Sequence, residues 1–156
     1  MSDTSDDHEL LVSKIKNGTV IDHVTGGQAL NVLAILGIDG TRGETVSVGM
    51  NVPSDRLGRK DIVKVEGREL TPEEVDVLSL IAPDASINII RSYEVVEKHR
   101  VERTETVHGV LACPNPVCIT NEREPVETSF DVLAEGVRCI YCGTVVRDDI
   151  AENIHV

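Results

Sequence analysis

The chain has 156 residues, a formal net charge of −12 and 40% hydrophobic residues, but only 2% aromatics, with no Trp and Phe130 as its one Phe. That length holds one ordinary domain or two small ones, with a core built mostly from Val, Ile and Leu. The acidic balance argues against a protein that grips nucleic acid along its phosphates, which needs a basic footprint. No apolar run approaches membrane-spanning length, and the acidic start is unlike a basic signal peptide, so a cytoplasmic protein without a membrane partner is expected. Arg outnumbers Lys ten to five, and acids are spread along the whole chain. An acid-rich, Lys-poor surface is the charge pattern of proteins from high-salt cytoplasm, where screening removes self-repulsion.

Residues 1–9 are polar and acidic and are expected to be disordered. Leu10, Leu11, Val12 and Ile15 form an apolar patch before Asn17-Gly18. The β-branched stretch Thr19 to Val24 predicts a strand that Gly26-Gly27 ends. Gln28 to Leu36 is a mostly apolar helix stopped by Gly37. Thr45 to Val52 alternates with period two, which puts Val46, Val48, Met50 and Val52 on one face of a half-buried strand ended by Pro53. Lys60 to Val65 is the next strand, with Lys60, Ile62 and Lys64 sharing a face. Thr71-Pro72-Glu73-Glu74 is a capping box that opens a second helix, with Val75, Leu78 and Ala82 as its stripe and Pro83 as its end. Strands around Ala85–Arg91 and Tyr93–Arg100 follow.

This order, β-α-β-β-α-β plus one strand, is the split-βαβ or ferredoxin-like pattern: an α+β domain with an antiparallel sheet and two helices. The polar stretch from Arg100 to Val107 places a boundary near residue 103, dividing the chain into 1–103 and 104–156. The remainder predicts short strands around Val107–Ala112, Thr128–Leu133, Val137–Ile140 and Thr144–Arg147 and no helix, a small all-β domain.

The four cysteines all lie in that second part, as Cys113-x4-Cys118 and Cys139-x2-Cys142 with twenty residues between the pairs. Thiolates at these spacings can converge on one centre, and a tetrahedral zinc site is the usual result. Disulfides are disfavoured without a sign of secretion, and a thioredoxin-like Cys-x2-Cys would have to open a helix. Four thiolates leave no open position, so the zinc is expected to be structural and to staple a domain too small to hold itself together.

A second, more diffuse group shares a chemical theme. Asp22 and His23 sit on the first strand, Lys60 and Lys64 lie on one face of the third, Asn88 and Tyr93 flank the turn between the last two strands, and Lys98 follows. In an acidic protein, lysines on one sheet face can form a phosphate pocket, with Asp and His reading a ring or sugar. Spacing alone favours the plainer reading of solvated strand residues in ordinary ion pairs. No nucleophile elbow, Walker loop, HExxH helix or dinucleotide fingerprint is present.

Several strings resemble the aspartate carbamoyltransferase regulatory chain. They are Gly18-Thr19-Val20-Ile21-Asp22-His23, Gly49-Met50-Asn51-Val52-Pro53-Ser54, Gly58-Arg59-Lys60-Asp61, and Tyr93-Glu94-Val95-Val96 with Lys98. In the last third they are Cys113-Pro114-Asn115, Cys118-Ile119, Glu124-Pro125-Val126 and Cys139-x-Tyr141-Cys142. The similarity runs in order from about residue 12 through both parts. It implies a non-catalytic subunit whose first domain binds ATP, CTP and sometimes UTP and pairs with a second regulatory chain. It also implies that the zinc domain docks on the catalytic chain, so that nucleotides set the rate of a step in pyrimidine synthesis.

By matching position, Asp22 and His23 would meet the base and ribose region, with backbone around Val12 and Ile15. Lys64 would reach the ribose or base side, and Lys98 the triphosphate. Asn88, Ile90, Tyr93 and Val95 would complete the pocket, with Lys60 nearby. Val117 and Ile140 stand where some relatives carry polar residues, so a less polar docking surface is expected. The alternatives are a zinc-ribbon protein associated with nucleic acid, opposed by the charge and the scarce aromatics, and a small redox or metal enzyme, opposed by the closed thiolate set.

Overall fold

A computed structural model describes residues 15–123, 126–148 and 150–154. The expected disorder of residues 1–9 and the contact at Val12 lie outside them. Strand β1 (Gly18–Thr25) is followed by helix α1 (Ala29–Ile35), strands β2 (Val46–Ser54) and β3 (Gly58–Glu66), helix α2 (Pro72–Leu78), and strands β4 (Ser86–Arg91) and β5 (Glu94–Arg100). The five strands form one antiparallel sheet in the order β2-β3-β1-β4-β5. That is the ferredoxin-like arrangement extended by β5.

The helices cover one face of this sheet. Ile21, Val24, Val63, Val65, Ile87 and Ile89 point into that side and close a core with Val32, Ile35, Val77 and Leu78. The period of two then leaves Val20, Asp22, Lys60, Ile62, Lys64, Ser86, Asn88 and Ile90 on the other face, which no helix among the described residues covers.

Each helix is held by local chemistry. Helix α1 ends in a Schellman motif: Gly37 takes φ +70°, its N–H donates to Ala34, and Ile38 N–H donates to Leu33. Ile38 is buried in the same core against which Leu33 packs. Helix α2 opens with the expected capping box, Thr71 Oγ1 accepting from Glu74 N–H at 3.2 Å and Glu74 Oε1 from Thr71 N–H at 3.0 Å. It ends earlier than the stripe to Ala82 predicts. Leu80 and Ile81 donate three residues back, to Val77 and Leu78, and Ser79 Oγ donates to Asp76 O at 2.6 Å. The last turns therefore tighten before Pro83 is reached.

Strand β2 departs from the single-face reading. Its register against β3 shifts between Gly49 and Val52, where Asn51 has φ +56°. Val46 and Val48 oppose the core residues Val65 and Val63, whereas Val52 opposes Lys60 on the open face. The extra residue of a bulge moves the side chains after it to the other face. Pro53 does not end the strand, because β2 lies at the sheet edge, where a missing N–H costs no ladder bond.

A four-stranded sheet follows, with strands β6 (Thr106–His108), β7 (Ser129–Leu133), β8 (Gly136–Cys139) and β9 (Val145–Val146) in sequence order. It carries no α-helix among the described residues, only 3-10 turns at Ile119–Asn121 and Ala151–Asn153. Phe130, fully buried, centres a small core with Val107, Leu111, Val137, Val146 and the cysteines. The two cores meet: Val110, Ile150, Ala151 and Ile154 pack against the first, and Leu80 and Ile150 against the second.

Candidate functional site

The cysteines come together as their spacing predicts. The four Sγ atoms all lie within 4.8 Å of one another. Cys113 and Cys142 are separated by 3.6 Å, and Cys118 and Cys139 by 3.7 Å. These separations are too long for disulfides, whose sulfurs are about 2.05 Å apart. They match the edge of about 3.8 Å that a tetrahedron with metal–sulfur bonds of about 2.3 Å requires. Cys113, Cys118 and Cys139 are buried and Cys142 is exposed.

Burial pushes the Cys113 thiol up to about 12 and raises that of Cys139, while the hydrogen bond to Thr144 draws Cys142 down to about 6. Buried thiols of this kind ionise together only around a cation. Two hydroxyls stand behind the sulfurs: Thr120 Oγ1 lies 3.2 Å from Cys118 Sγ, and Thr144 Oγ1 lies 3.1 Å from Cys142 Sγ. Around this cluster Val117, Ile119, Ile140 and Tyr141 are exposed, Val117 by 78%.

The second group converges on the open face of the five-stranded sheet. Lys60 Nζ lies 2.9 Å from Asp22 Oδ1. His23 takes φ +55° at a register shift in β1, where its N–H donates to Asp22 Oδ1 at 2.6 Å and its Nδ1 lies 3.4 Å from Ser86 Oγ. This bulge places two consecutive polar side chains at the end of an otherwise alternating strand. One turn of the pleat away, the ladder aligns Lys64 with Val20, Val20 with Asn88, and Asn88 with Lys98. Directly opposed residues share a face, so Lys64, Asn88 and Lys98 form one cross-strand row. Asn88 Nδ2 donates to Val20 O at 3.4 Å. Lys64 and Lys98 make no ion pair among the described residues.

An apolar end adjoins this row. Ile90 pairs with Val95, and Ile15 and Ile90 are buried but belong to neither core cluster. The hairpin between β4 and β5 turns on Ser92 and Tyr93, with φ of 52° and 67°. Both central residues are left-handed, as a two-residue type I′ turn requires. Tyr93 N–H donates to Lys16 O and Ser92 N–H to Asn17 Oδ1, which binds the segment before β1 to the hairpin tip. Non-glycine residues at positive φ cost energy and persist where their surroundings hold them, and three of the four among the described residues border the open face.

Among the sequence-predicted site residues, then, Asp22, His23 and Lys60 touch or nearly touch, Lys64, Asn88 and Lys98 are aligned, and Ile15, Ile90, Tyr93 and Val95 stand at the hairpin end. Two residues escaped the sequence reading. Ser86, 4% exposed, meets His23. Asp61, fully buried, accepts backbone N–H bonds from Gly27 at 2.9 Å, Ala29 at 2.8 Å and Asn51 at 2.8 Å. A signal for Asp61 existed. If Lys60, Ile62 and Lys64 share the open face, Asp61 falls with Val63 and Val65 on the core face, where an unpartnered carboxylate is too costly.

Comparison with known proteins matches the chain to two family models. Residues 10–102 match the family model described as the aspartate carbamoyltransferase regulatory chain, allosteric domain. Residues 105–152 match its metal binding domain. The chain is 72% identical over 150 residues to the aspartate carbamoyltransferase regulatory chain of Natronomonas pharaonis, covering 96% of this chain and 98% of that one. It is 70% identical over 154 residues to that of Haloarcula marismortui, covering 99% and 98%. It is 55% identical over 150 residues to that of Hyperthermus butylicus, covering 93% and 94%.

Proposed function

The chain belongs to the aspartate carbamoyltransferase regulatory chains, and from that premise we propose that its open sheet face binds nucleoside triphosphates, ATP, CTP or UTP, and passes their effect to a catalytic chain. The observation that carries this reading is the row Lys64, Asn88, Lys98 beside the Asp22–His23–Lys60 group. Two lysines that have no carboxylate partner among the described residues, on a face that no described helix covers, supply charge for phosphates in a protein that is otherwise strongly acidic. Asp22, His23 and the backbone near Ile15 supply directional groups for a base and ribose. The apolar pair Ile90 and Val95 supplies a surface for a ring. Lys60, already paired with Asp22, acts by orienting that carboxylate.

The cysteine cluster holds one structural Zn²⁺ through Cys113, Cys118, Cys139 and Cys142. Zinc suits four thiolates at tetrahedral separations, and four protein ligands leave it no position for chemistry. Its function is to fold the second domain, residues 104–156, and with it the exposed apolar group of Val117, Ile119, Ile140 and Tyr141. That group is the surface offered to the catalytic chain. A second regulatory chain pairs with the first domain, residues 1–103, so that two such chains act together. The acid-rich composition and the high-identity relatives such as that of Haloarcula marismortui favour work in concentrated salt.

A nucleotide alters catalysis only if it binds one state of the assembly better than another, a coupling of about 1–3 kcal/mol in typical systems. Two nucleotides competing for one pocket act oppositely when each favours a different state. Titration calorimetry of the full metal-loaded chain with CTP and with ATP, in dilute and in molar salt, is the test. Saturable binding of both with mutual competition is expected; no binding in either buffer would overturn the reading.

A further inference from the structure

Asp61 is the one buried charged side chain among the described residues, and its position relative to two irregularities in the sheet is unusual. Strand β1 shifts register between Ile21 and Val24, with Val24 paired to Asp61. Strand β2 shifts between Gly49 and Val52, which pair with Ile62 and Lys60 on either side of Asp61. Both neighbours of β3 therefore bulge at the same level, and the residues at positive φ, His23 and Asn51, flank Asp61 from the two sides. Bulges forfeit ladder hydrogen bonds, and the carboxylate replaces part of what is lost. Oδ1 takes the Asn51 N–H, while Oδ2 takes the N–H groups of Gly27 and Ala29 at the start of α1. Helix α1 has no side-chain cap of its own, so this carboxylate also satisfies its first turn and complements its dipole.

The same segment reaches the second domain. A cleft of about 350 Å³ lies between the two cores. Thr25, Gln28 and Asn31 form one wall and Arg147, Ile150 and Glu152 another. From His23 on the open face to Asn31 in the cleft is about eight residues of chain, through the end of β1, the Gly26-Gly27 turn and the start of α1, and Asp61 holds the middle of it. Its sequence neighbour Lys60 points to the open face and pairs with Asp22. Consecutive residues of β3 thus hold the two sides of one segment.

We propose that Asp61 is a positioning residue that links occupancy of the open face to the cleft against the metal domain, through the Gly26-Gly27 turn and the first turn of α1. A ligand on Asp22 and His23 changes the bulge. The β1 bulge ends at Val24, which pairs with Asp61 in the ladder, and the Asp61 carboxylate holds Gly27 and Ala29 at the start of α1, so the change is carried to Gln28 and Asn31. The inference rests on the reading of the open face as a nucleotide site.

The test is amide hydrogen exchange on the full metal-loaded chain with and without CTP, alongside calorimetry. In the parent chain, CTP is expected to raise protection both at residues 22–31 and at residues 145–153. In Asp61→Asn one accepting oxygen becomes an NH₂ donor, so at least one of the three backbone donors loses its partner. CTP affinity is expected to stay within about threefold, while the protection gained at 145–153 falls by about tenfold, the scale of a typical coupling.

A variant that binds CTP and still protects 145–153 overturns the link, and so does one that loses CTP binding, since Asp61 would then belong to the binding site. If Asp61→Asn does not fold, the double change Gln28→Ala with Asn31→Ala leaves the carboxylate intact and alters only the cleft. It is expected to keep the response at 22–27 and lose that at 145–153, and a retained response there overturns the link. Arg68→Gln, which breaks the bond to Leu36 O and the pair with Glu74, is the control for loosening in general; an equal loss there would also defeat the proposal. Absence of CTP binding by the parent chain overturns the nucleotide reading, and this inference with it.

Discussion

The open sheet face and the cysteine cluster are both polar sites in small domains, yet they are assembled by opposite means. The face is built from residues up to seventy-six apart in sequence, from Asp22 to Lys98, each placed by the antiparallel ladder and its bulges. The apolar core beneath it holds that ladder without a ligand. The cluster draws its cysteines from one short loop and from the end of β8 with the turn after it, and around it lies a core with Phe130 as its only large aromatic. Three of its four thiols are buried. On the function proposed above, one site would receive its ligand on a finished scaffold and the other would build its scaffold around one.

The most severe way to break this comparison is to remove the metal. Structural zinc contributes roughly 10–16 kcal/mol of apparent folding free energy at neutral pH, more than a domain of this size retains otherwise. A strong chelator is therefore expected to unfold the region after residue 104 while the five-stranded sheet stays folded and binds nucleotide. Amide exchange would read this region by region. Sustained protection of β6 to β9 in the stripped chain would show that Phe130 and its neighbours suffice alone. Because the thiols must lose protons to bind metal, release should become easier as pH falls.

The same contrast governs what was legible in the sequence. The cluster was readable because its information is local: four cysteines, two spacings and no competing use for them. Most of the first domain was readable for a related reason. Alternation marked β1 and β3, Gly37 marked the end of α1, and the capping box marked the start of α2. What the sequence hid is where strand register breaks. Alternation across Thr45–Val52 put four apolar residues on one face, and the bulge at Asn51 sent Val52 to the other. Nothing in the local string announces that bulge, since the carboxylate that accepts the Asn51 N–H belongs to Asp61, ten residues later. Ser86 was hidden in the same way, because its partner His23 is sixty-three residues distant. Asp22, His23, Lys60, Lys64, Asn88, Tyr93 and Lys98 stand out by chemical theme, although spacing alone favours ordinary ion pairs, and the family resemblance adds Val12, Ile15, Ile90 and Val95.

A smaller effect is expected on the open face, and it sharpens the comparison instead of breaking it. Lys98→Ala leaves the Asn88 pairing and the core untouched, so stability should change by no more than about 0.5 kcal/mol, as for surface substitutions generally. Affinity for a nucleoside triphosphate should drop by about tenfold, roughly the 1.4 kcal/mol of a charge-assisted contact. Affinity for the bare nucleoside should hold. Calorimetry with CTP and cytidine separates the two; equal losses would move the phosphates away from Lys98.

The smallest effect expected is at the rim of the metal cluster, and it asks whether the scaffold there is the ion alone. Thr144 and Thr120 each sit two residues after a cysteine and contact its sulfur, but Cys142 is exposed and Thr120 is only 5% exposed. With metal bound the sulfurs are thiolates, so both hydroxyls donate. Partners behind metal ligands usually matter by about 10–100-fold in affinity, because they fix the ligand and spread its charge. Water can replace the hydroxyl at exposed Cys142 and cannot at Cys118. Thr144→Val should therefore speed metal transfer to a chromophoric chelator by only about two- to threefold, below that usual range. Thr120→Val should reach the range itself. Equal rates for the two variants would mean that burial does not grade the hydroxyls, and that the four thiolates set the lifetime of the site unaided.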